Sequence, residues 1–296
     1  MTHNIEYAMI SMCMFTGERI NNMKKLKNIS AYQMVLEATR NRGMLVKLAQ
    51  NDFKTKYAGS YMGIVWAFIQ PVTTILLYWF VFQIGLRSTG VGNYPFILYL
   101  TAGLVPWFYF SDAWNGATSG LLEYSFLVKK VVFDVGILPA IKVLSAFFVN
   151  LFFTVFMVIL FCFYGYFPGL YLLQIVYSLI CITVLALGLG YLTSAVMVFV
   201  RDLGHLLTVA LQMLMWLTPI MWPITMVAES YPWLVKLLQL NPVFYIVQCY
   251  RDAMFSEKWF WERPEWTIYF WVVTILLFLF GSHTFQKLRS HFADVL

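Results

Sequence analysis

Two rows of polar and aromatic side chains recur at helical spacing inside long apolar runs. Their members are Trp66, Gln70, Thr73 and Thr74 in one run, and Thr208, Gln212 and Trp216 in another. Glutamine and threonine can hydrogen-bond hydroxyl or phosphate groups, and indole rings can lie against sugar faces. A polar row in hydrocarbon is unfavourable unless it faces protein or water. The rows therefore indicate either a polar path or hydrogen bonds between helices, worth about 0.6–2 kcal/mol per contact.

Three lysines, Lys47, Lys54 and Lys56, lie just before the first of these runs. Ammonium groups bind phosphate through charge-assisted hydrogen bonds, so a phosphate-bearing lipid headgroup is one candidate ligand. The alternative is that these lysines only fix the orientation of the chain in a membrane.

Several kinds of chemistry are missing from the sequence. There is no GxxxxGK[ST] phosphate loop and no HExxH motif, and the cysteines show no paired spacing. No apolar run presents two acids, which argues against an ion-driven transporter. The lone GLG at 188–190 lies in an apolar run and indicates helix packing. We expect no metal and no cofactor in this chain.

The composition identifies an integral membrane protein. Hydrophobic residues make up 61% of the 296 residues and charged residues only 11%, whereas soluble domains carry about 25% charged residues. The net charge of +6 is explained by membrane orientation, and we expect no nucleic acid partner.

The apolar runs that must position the polar rows are each long enough, or nearly so, to cross a bilayer as a helix. They are Gly63–Gly85, Tyr94–Phe110, Val143–Phe167, Leu170–Val200, Leu203–Met221 and Trp266–Gly281. Six spans place both termini on one side. Fifteen Lys and Arg residues lie on that side and five on the other, so the positive-inside rule predicts cytoplasmic termini.

The first sixty residues precede the spans and form a separate region, 1–60, ahead of a six-span domain, 61–296. Apolar residues within this region recur at helical spacing, while Lys47, Asn51 and Lys54 face elsewhere. The apolar positions are Leu45, Leu48, Ala49, Phe53 and Tyr57. This pattern predicts a basic amphipathic helix on the inner leaflet, or else a helix packed on a partner. The motifs GSYMG (59–63) and GATSG (116–120) match the small-xxx-small packing pattern.

Two further segments are too short or too polar to span. PVFYIVQCYRDAMF (242–255) is apolar, but Arg251 and Asp252 interrupt it about halfway across a bilayer core of roughly 30 Å. EYSFLVKKVVFDVGILP (123–139) mixes apolar and basic residues. It is either a helix that docks on a soluble partner or an ordinary positive-inside loop.

Four motifs resemble the membrane subunit of type-2 ABC exporters of polysaccharides. They are NDFKTKYAGSYMGIVWAFIQP, GLVPWFYF, FLVKKVVF and NPVFYIVQCYRD, and their order and spacing match from about Met23 onward. YWFVFQIGLR and the ending GSHTFQKLRSHFADVL are most similar to permeases for wall teichoic acid, with O-antigen and capsule permeases as the alternative. MKKLKNI resembles a natural start in this family, so residues 1–22 are expected to be dispensable.

The resemblance implies an all-α membrane protein with six spans, an amphipathic interface helix and two short reentrant helices, about 231–239 and 242–255. It implies a homodimer with two separate ATPase subunits, which bind ATP and Mg. The cargo would be a polymer on undecaprenyl pyrophosphate. The polar rows of the first and fifth spans would line its path. This chain has Asp134 and Val135 where many relatives have a proline and a basic residue, so no function is carried over to those positions.

The resemblance also implies roles for residues outside the spans. The ATPase-coupling residues would be Leu127, Val128, Lys129, Lys130 and Phe133, with Arg201 and Asp202 in a neighbouring turn. The extracellular gate would comprise Asn241, Pro242, Tyr245 and Arg251. Arg251 and Asp252 are expected at the outer water boundary or paired with each other. A drug exporter and a purely structural membrane protein are the rival functions.

Overall fold

The computed structural model describes residues 42–87, 94–128, 135–255 and 258–296. All regular elements in these ranges are helical. In chain order the α-helices are α1 (Arg42–Ala58), α2 (Trp66–Trp79), α3 (Phe96–Glu123), α4 (Ser125–Val128), α5 (Ile137–Phe163), α6 (Leu173–Met197), α7 (Leu203–Leu217), α8 (Thr225–Ala228), α9 (Pro232–Gln239), α10 (Pro242–Phe255) and α11 (Pro264–Val295). The expectation for residues 1–22 lies outside the described residues.

Within the described ranges, five helical stretches are long and apolar enough to cross a membrane. They are Gly63–Gly85, Phe96–Glu123, Ile137–Phe163, Gly169–Met197 and Pro264–Phe292. The first of them joins a 3₁₀ turn, α2 and the π-helical turn Phe80–Gly85. The all-α membrane architecture predicted from the sequence is thereby confirmed, whereas the sixth span stays a prediction.

The predicted fifth span is shorter in the structure. Helix α7 has 15 residues, and Thr218 after it adopts an extended conformation. At 1.5 Å per residue, α7 is about 22 Å long, less than a bilayer core of about 30 Å. Pro219 explains the end point, because the residue before a proline is sterically pushed out of the helical region.

Helix α3 lies at the centre of the bundle. It packs against α2, α5, α6, α7 and α10, and α11 closes the fold by packing against α6. The most apolar stretch of α3 is 78% buried inside the protein, whereas the most apolar stretch of the first span, Gly63–Gly85, is 11% buried. The first span is therefore the most open of the candidate spans in a single chain.

The GLG motif at 188–190 is a close helix contact, as interpreted from the sequence. A Cβ at Gly188 would lie 2.9 Å from the backbone of Phe278, and one at Gly281 would clash with the carbonyl oxygen of Gly188. Only glycine lets the two backbones approach this closely. By contrast, a Cβ at Gly59 or Gly63 in GSYMG would meet nothing within 4 Å.

Short helices follow α7, with the bounds predicted by resemblance to within one residue. Helix α9 ends at Gln239 and α10 runs from Pro242 to Phe255. Proline begins both helices, a position where its missing N–H costs nothing. Their reentrant placement in a membrane stays a prediction.

Candidate functional site

The apolar face of α1 is the one predicted from residue spacing. Ala49 is buried, its apolar companions on that face are partly buried, and Lys47, Asn51 and Lys54 are exposed. The face packs on α5, with Leu45 and Leu48 against a buried cluster of the bundle. Part of the apolar face of α1 is therefore covered by this chain's own α5, and its placement on the inner leaflet or on a partner stays a prediction.

The three lysines predicted to meet a lipid headgroup divide into two kinds. Nζ of Lys56 lies 2.6 Å from Oδ1 of Asp112 on α3. Partial desolvation opposes the charge of Lys56, whose side chain is 42% exposed, but the Asp112 carboxylate outweighs it and raises the pKa of Lys56 above its ordinary value. Lys47 and Lys54 are exposed and have no ion pair within the described residues. Contact of these lysines with a phosphate stays a prediction.

The predicted docking segment is described in part. Helix α4 contains Leu127 and Val128, while Lys129, Lys130 and Phe133 lie outside the described residues. Val128 is buried in a hydrophobic cluster formed by this chain. Phe126 is 57% exposed, so an apolar side chain that the sequence reasoning did not single out lies on the surface of α4.

The Arg201–Asp202 turn connects α6 to α7. Both residues are exposed, and neither is in an ion pair within the described ranges. This turn therefore presents one positive and one negative side chain just before the helix that carries the second polar row.

Both polar rows lie on the surface of the single chain. Trp66, Gln70 and Thr73 are exposed on α2, and Thr74 donates to the carbonyl oxygen of Gln70 at 2.9 Å. Both α2 and α7 pack on α3. The row on α2 is therefore open to whatever lies beside that helix.

The polar row on α7 is also exposed on the surface of the single chain. Thr208, Gln212 and Trp216 are exposed, whereas Leu207 and Leu211 are buried on the other face. Thr208 donates to the carbonyl oxygen of Gly204 at 3.0 Å, a bond within its own helix. Among the described residues, neither row forms side-chain hydrogen bonds to another helix. The polar path along these rows stays a prediction.

Cysteine labelling tests the two rows. Cysteines at positions 70, 73, 208 and 212 should react with a membrane-impermeant thiol reagent during turnover of the working complex, because a polar path admits water. Cysteines at Ile159 and Leu276, which are exposed apolar positions on α5 and α11, serve as lipid-facing controls. Equal, low reactivity at both sets would show that the rows are packing surfaces.

The predicted gate residues begin at the junction of α9 and α10. Nδ2 of Asn241 donates to Oγ1 of Thr218 at 2.8 Å, and its Oδ1 accepts from the backbone N–H of Val243 at 3.0 Å. Asn241 thus caps the N-terminus of α10 and ties it to the residue at which α7 ends. Pro242 follows as the first helical residue.

Arg251 on α10 is buried in this region, so its predicted exposure at a water boundary is wrong. It is 4% exposed. Nη1 donates to the carbonyl oxygen of Pro219 at 2.8 Å and Nη2 to that of Ile220 at 2.7 Å. Its guanidinium lies 3.6 Å from the ring centroid of Tyr99. The reason is local: the chain after α7 has left the helix, and its free carbonyls need donors.

Asp252 has a different partner. Nη1 of Arg263 lies 3.0 Å from its Oδ2, and Nε2 of Gln248 donates to its Oδ1 at 2.9 Å. The pair joins α10 to the residue just before α11. The two adjacent charged residues of α10 thus each contact a different segment of the chain.

Tyr245 is buried where its helix, α10, packs against α6 and α11. Its hydroxyl lies 2.9 Å from that of Tyr177 and 3.0 Å from Oγ1 of Thr267. Its ring stacks on Phe270 at 4.8 Å. The four predicted gate residues therefore belong to a packed, hydrogen-bonded region, and opening it would require several of these bonds to break together.

The sequence reasoning missed several buried polar residues that form hydrogen bonds or ion pairs between helices. Gln174 on α6 donates to the carbonyl oxygen of Cys249 at 3.1 Å and accepts from the N–H of Phe260 at 2.9 Å, and Lys142 is buried on α5. The available signal was their isolation, since each is a lone polar residue beside or within an apolar run. Asp52 gave another signal, because it lies on the apolar face of α1.

Sequence comparison identifies the class of protein. The profile of the ABC-2 type transporter family matches residues 45–255. This range is more than half of the chain, and the chain therefore belongs to the ABC-2 type transporter family. It is a multi-pass membrane protein.

Individual relatives narrow the class. The chain is 26% identical to the O-antigen export system permease protein RfbA of Myxococcus xanthus over 262 residues, 88% of this chain and 98% of that protein. It is 26% identical to the protein of the same name from Klebsiella pneumoniae over 257 residues, 86% of this chain and 95% of that one. It is 23% identical to the polysialic acid transport protein KpsM of Escherichia coli over 215 residues, 69% of this chain and 78% of that one.

Proposed function

We propose that this chain is the membrane permease subunit of an ATP-driven exporter for a lipid-linked polysaccharide. The observation that carries the proposal is similarity along 86–88% of the chain to permeases named for O-antigen export, together with the ABC-2 family match. The exposed polar rows support it, because they supply hydrogen-bonding and aromatic side chains suited to a glycan.

The cargo class is the finer part of the proposal. The relatives are named for O-antigen and polysialic acid, which favours the alternative of an O-antigen or capsule type of polymer. Wall teichoic acid, indicated by YWFVFQIGLR and the C-terminal segment, remains a narrower prediction. A drug as cargo has no support from these names.

The energy source would be a separate ATPase subunit. The chain has no phosphate loop, so ATP and Mg would bind to that partner and this chain would carry no hydrolysis. Docking would involve the segment around α4, including Phe126, and the Arg201–Asp202 turn. Phe126 and the Arg201–Asp202 turn are exposed, and they lie at inner connections of the predicted topology, in which both termini are cytoplasmic.

A homodimer would complete the path. The polar rows on α2 and α7 are open in one chain, and the first span is only 11% buried. A second copy facing these helices would enclose both rows. Lys47 and Lys54 would then meet the pyrophosphate of the lipid-linked polymer near the inner leaflet.

The proposal is tested by ATPase stimulation of the reconstituted complex. An undecaprenyl-pyrophosphate-linked O-polysaccharide should raise ATP hydrolysis, whereas the same lipid without polymer should not. Lipid-linked teichoic acid forms the second arm and a hydrophobic drug the third. Stimulation by teichoic acid alone would restore the narrower prediction, and stimulation by the drug alone would contradict polysaccharide export.

A further inference from the structure

A buried lysine joins three helices at the inner end of the bundle. Nζ of Lys142 on α5 lies 2.7 Å from Oδ1 of Asp52 on α1 and 2.5 Å from Oε2 of Glu123 at the end of α3. Lys142 is 9% exposed and Asp52 is 4% exposed. Because water is largely excluded, each of these two charges depends on the other for compensation.

Tyr124 connects this cluster to the docking segment. Its hydroxyl donates to Oδ1 of Asp52 at 2.6 Å, and its ring centroid lies 5.0 Å from Nζ of Lys142. Tyr124 is the single residue between α3 and α4. The residue that leads into the docking helix is therefore bonded directly to α1.

The GATSG motif makes room for the lysine. A Cβ at Gly120 would lie 3.2 Å from Cγ of Lys142, and one at Gly116 would lie 3.6 Å from its Cβ. The small residues thus form a groove for the aliphatic part of the Lys142 side chain, and its ammonium group reaches Glu123 at the C-terminal end of α3. The pattern read from the sequence as helix packing holds a charged side chain.

We propose that Lys142 is a positioning residue that transmits movement of the docking segment to α1, and through α1 to the first span. This inference rests on the proposed function, in which the segment around α4 contacts the ATPase. A displacement of α4 moves Tyr124 and Glu123, and these hold Asp52 and Lys142. Because α1 leads into the span that carries the first polar row, the cluster connects the docking side to the path.

A second ion pair provides a matched control. Lys56 and Asp112 also join α1 to α3 at 2.6 Å, but their side chains are 42% and 38% exposed. This pair does not contact Tyr124 or Glu123 in the described structure. It therefore tests whether any link between these helices suffices, or whether the link to the docking segment is required.

The decisive variant removes all charges of the cluster together. Lys142→Met, Asp52→Asn and Glu123→Gln in one chain leave no buried charge unpaired. In the complex with its ATPase, we expect basal hydrolysis to persist while polymer transported per ATP falls about tenfold, within the usual range of coupling between sites. Lys56→Met with Asp112→Asn should keep the wild-type ratio.

A gentler variant and a direct readout complete the test. Tyr124→Phe removes only the hydroxyl bond to Asp52 and should lower the ratio severalfold, which decides the matter if the triple variant does not fold. Spin labels at positions 51 and 159, which are both exposed, should show an ATP-dependent change in distance in the wild type and the control, but not in the triple variant.

The outcomes separate this inference from the proposed function. Wild-type ratios and distance changes in both cluster variants would overturn the role of Lys142. A wild-type complex that changes distance with ATP yet transports no polysaccharide would overturn the proposed cargo and leave the mechanical link standing. An equal loss of ratio in the cluster and control variants would also overturn the inference.

Discussion

Replacing Arg251 with methionine should lower the free energy of unfolding by about 2–5 kcal/mol, since it strands buried hydrogen-bonding groups. The carbonyl oxygens of Pro219 and Ile220 would lose their donors. The ring of Tyr99 would lose a cation 3.6 Å from its centroid. Thermal unfolding of the purified chain in nanodiscs measures the change.

Arg251→Lys separates charge from geometry in that experiment. A lysine keeps the positive charge, but its single ammonium group cannot reproduce the planar fork that reaches both carbonyl groups. We expect an intermediate loss. A melting temperature of Arg251→Met equal to that of the wild type would show that the guanidinium does not hold the end of α7 to α10.

Replacing Lys142 alone with methionine should be the other severe change. It leaves the Asp52 carboxylate buried without its cation, and breaking a buried pair in this way costs about 3–5 kcal/mol. Lys56→Met is the control, because its partner Asp112 is 38% exposed and exposed pairs contribute about 0–1 kcal/mol. Adding Asp52→Asn to Lys142→Met should recover much of the loss.

The pH dependence of the Lys142→Met defect gives a second check. Burial opposes ionisation of Asp52, but bonds from Lys142 and Tyr124 and the charge of Lys142 outweigh it, so the pKa of Asp52 lies below its ordinary value. Asp52 therefore stabilises the wild type above that ordinary value, and the stabilisation is lost as pH falls through the lower folded pKa.

In Lys142→Met, burial acts without the lysine and the pKa of Asp52 should rise. The destabilisation should then be largest near neutral pH and should shrink as the pH falls and the carboxyl is protonated. A defect of constant size between about pH 7.5 and pH 5 would contradict the assignment of an unpaired carboxylate.

Patterns that depend on local spacing predicted the helices well. The face of α1 follows from periodicity and the close contact at Gly188 from small residues, whereas the bounds of α10 were predicted from the resemblance to the family. The end of α7 was predicted four residues too late. The apolar pattern continues to Met221, so it does not mark the end of the helix. The helix ends earlier because Pro219 keeps the residue before it, Thr218, out of the helical conformation.

Partners that depend on tertiary structure could not be predicted. Arg251 and Asp252 are neighbours in sequence, yet the first contacts the chain after α7 and the second contacts Arg263. Likewise, Lys56 pairs with Asp112 across 56 positions. Spacing indicates which face of a helix a charge occupies, but the group that meets it there is set by how the helices pack.

The central claim is that this chain forms the path of a polysaccharide exporter, and transport into sealed vesicles tests it most directly. Inside-out proteoliposomes that contain the chain and its ATPase receive a labelled O-polysaccharide linked to undecaprenyl pyrophosphate. We predict ATP-dependent protection of the polymer from an added glycosidase, abolished by an ATPase variant that cannot hydrolyse ATP. Polymer that remains fully digestible, in vesicles whose ATPase is active, would contradict the account.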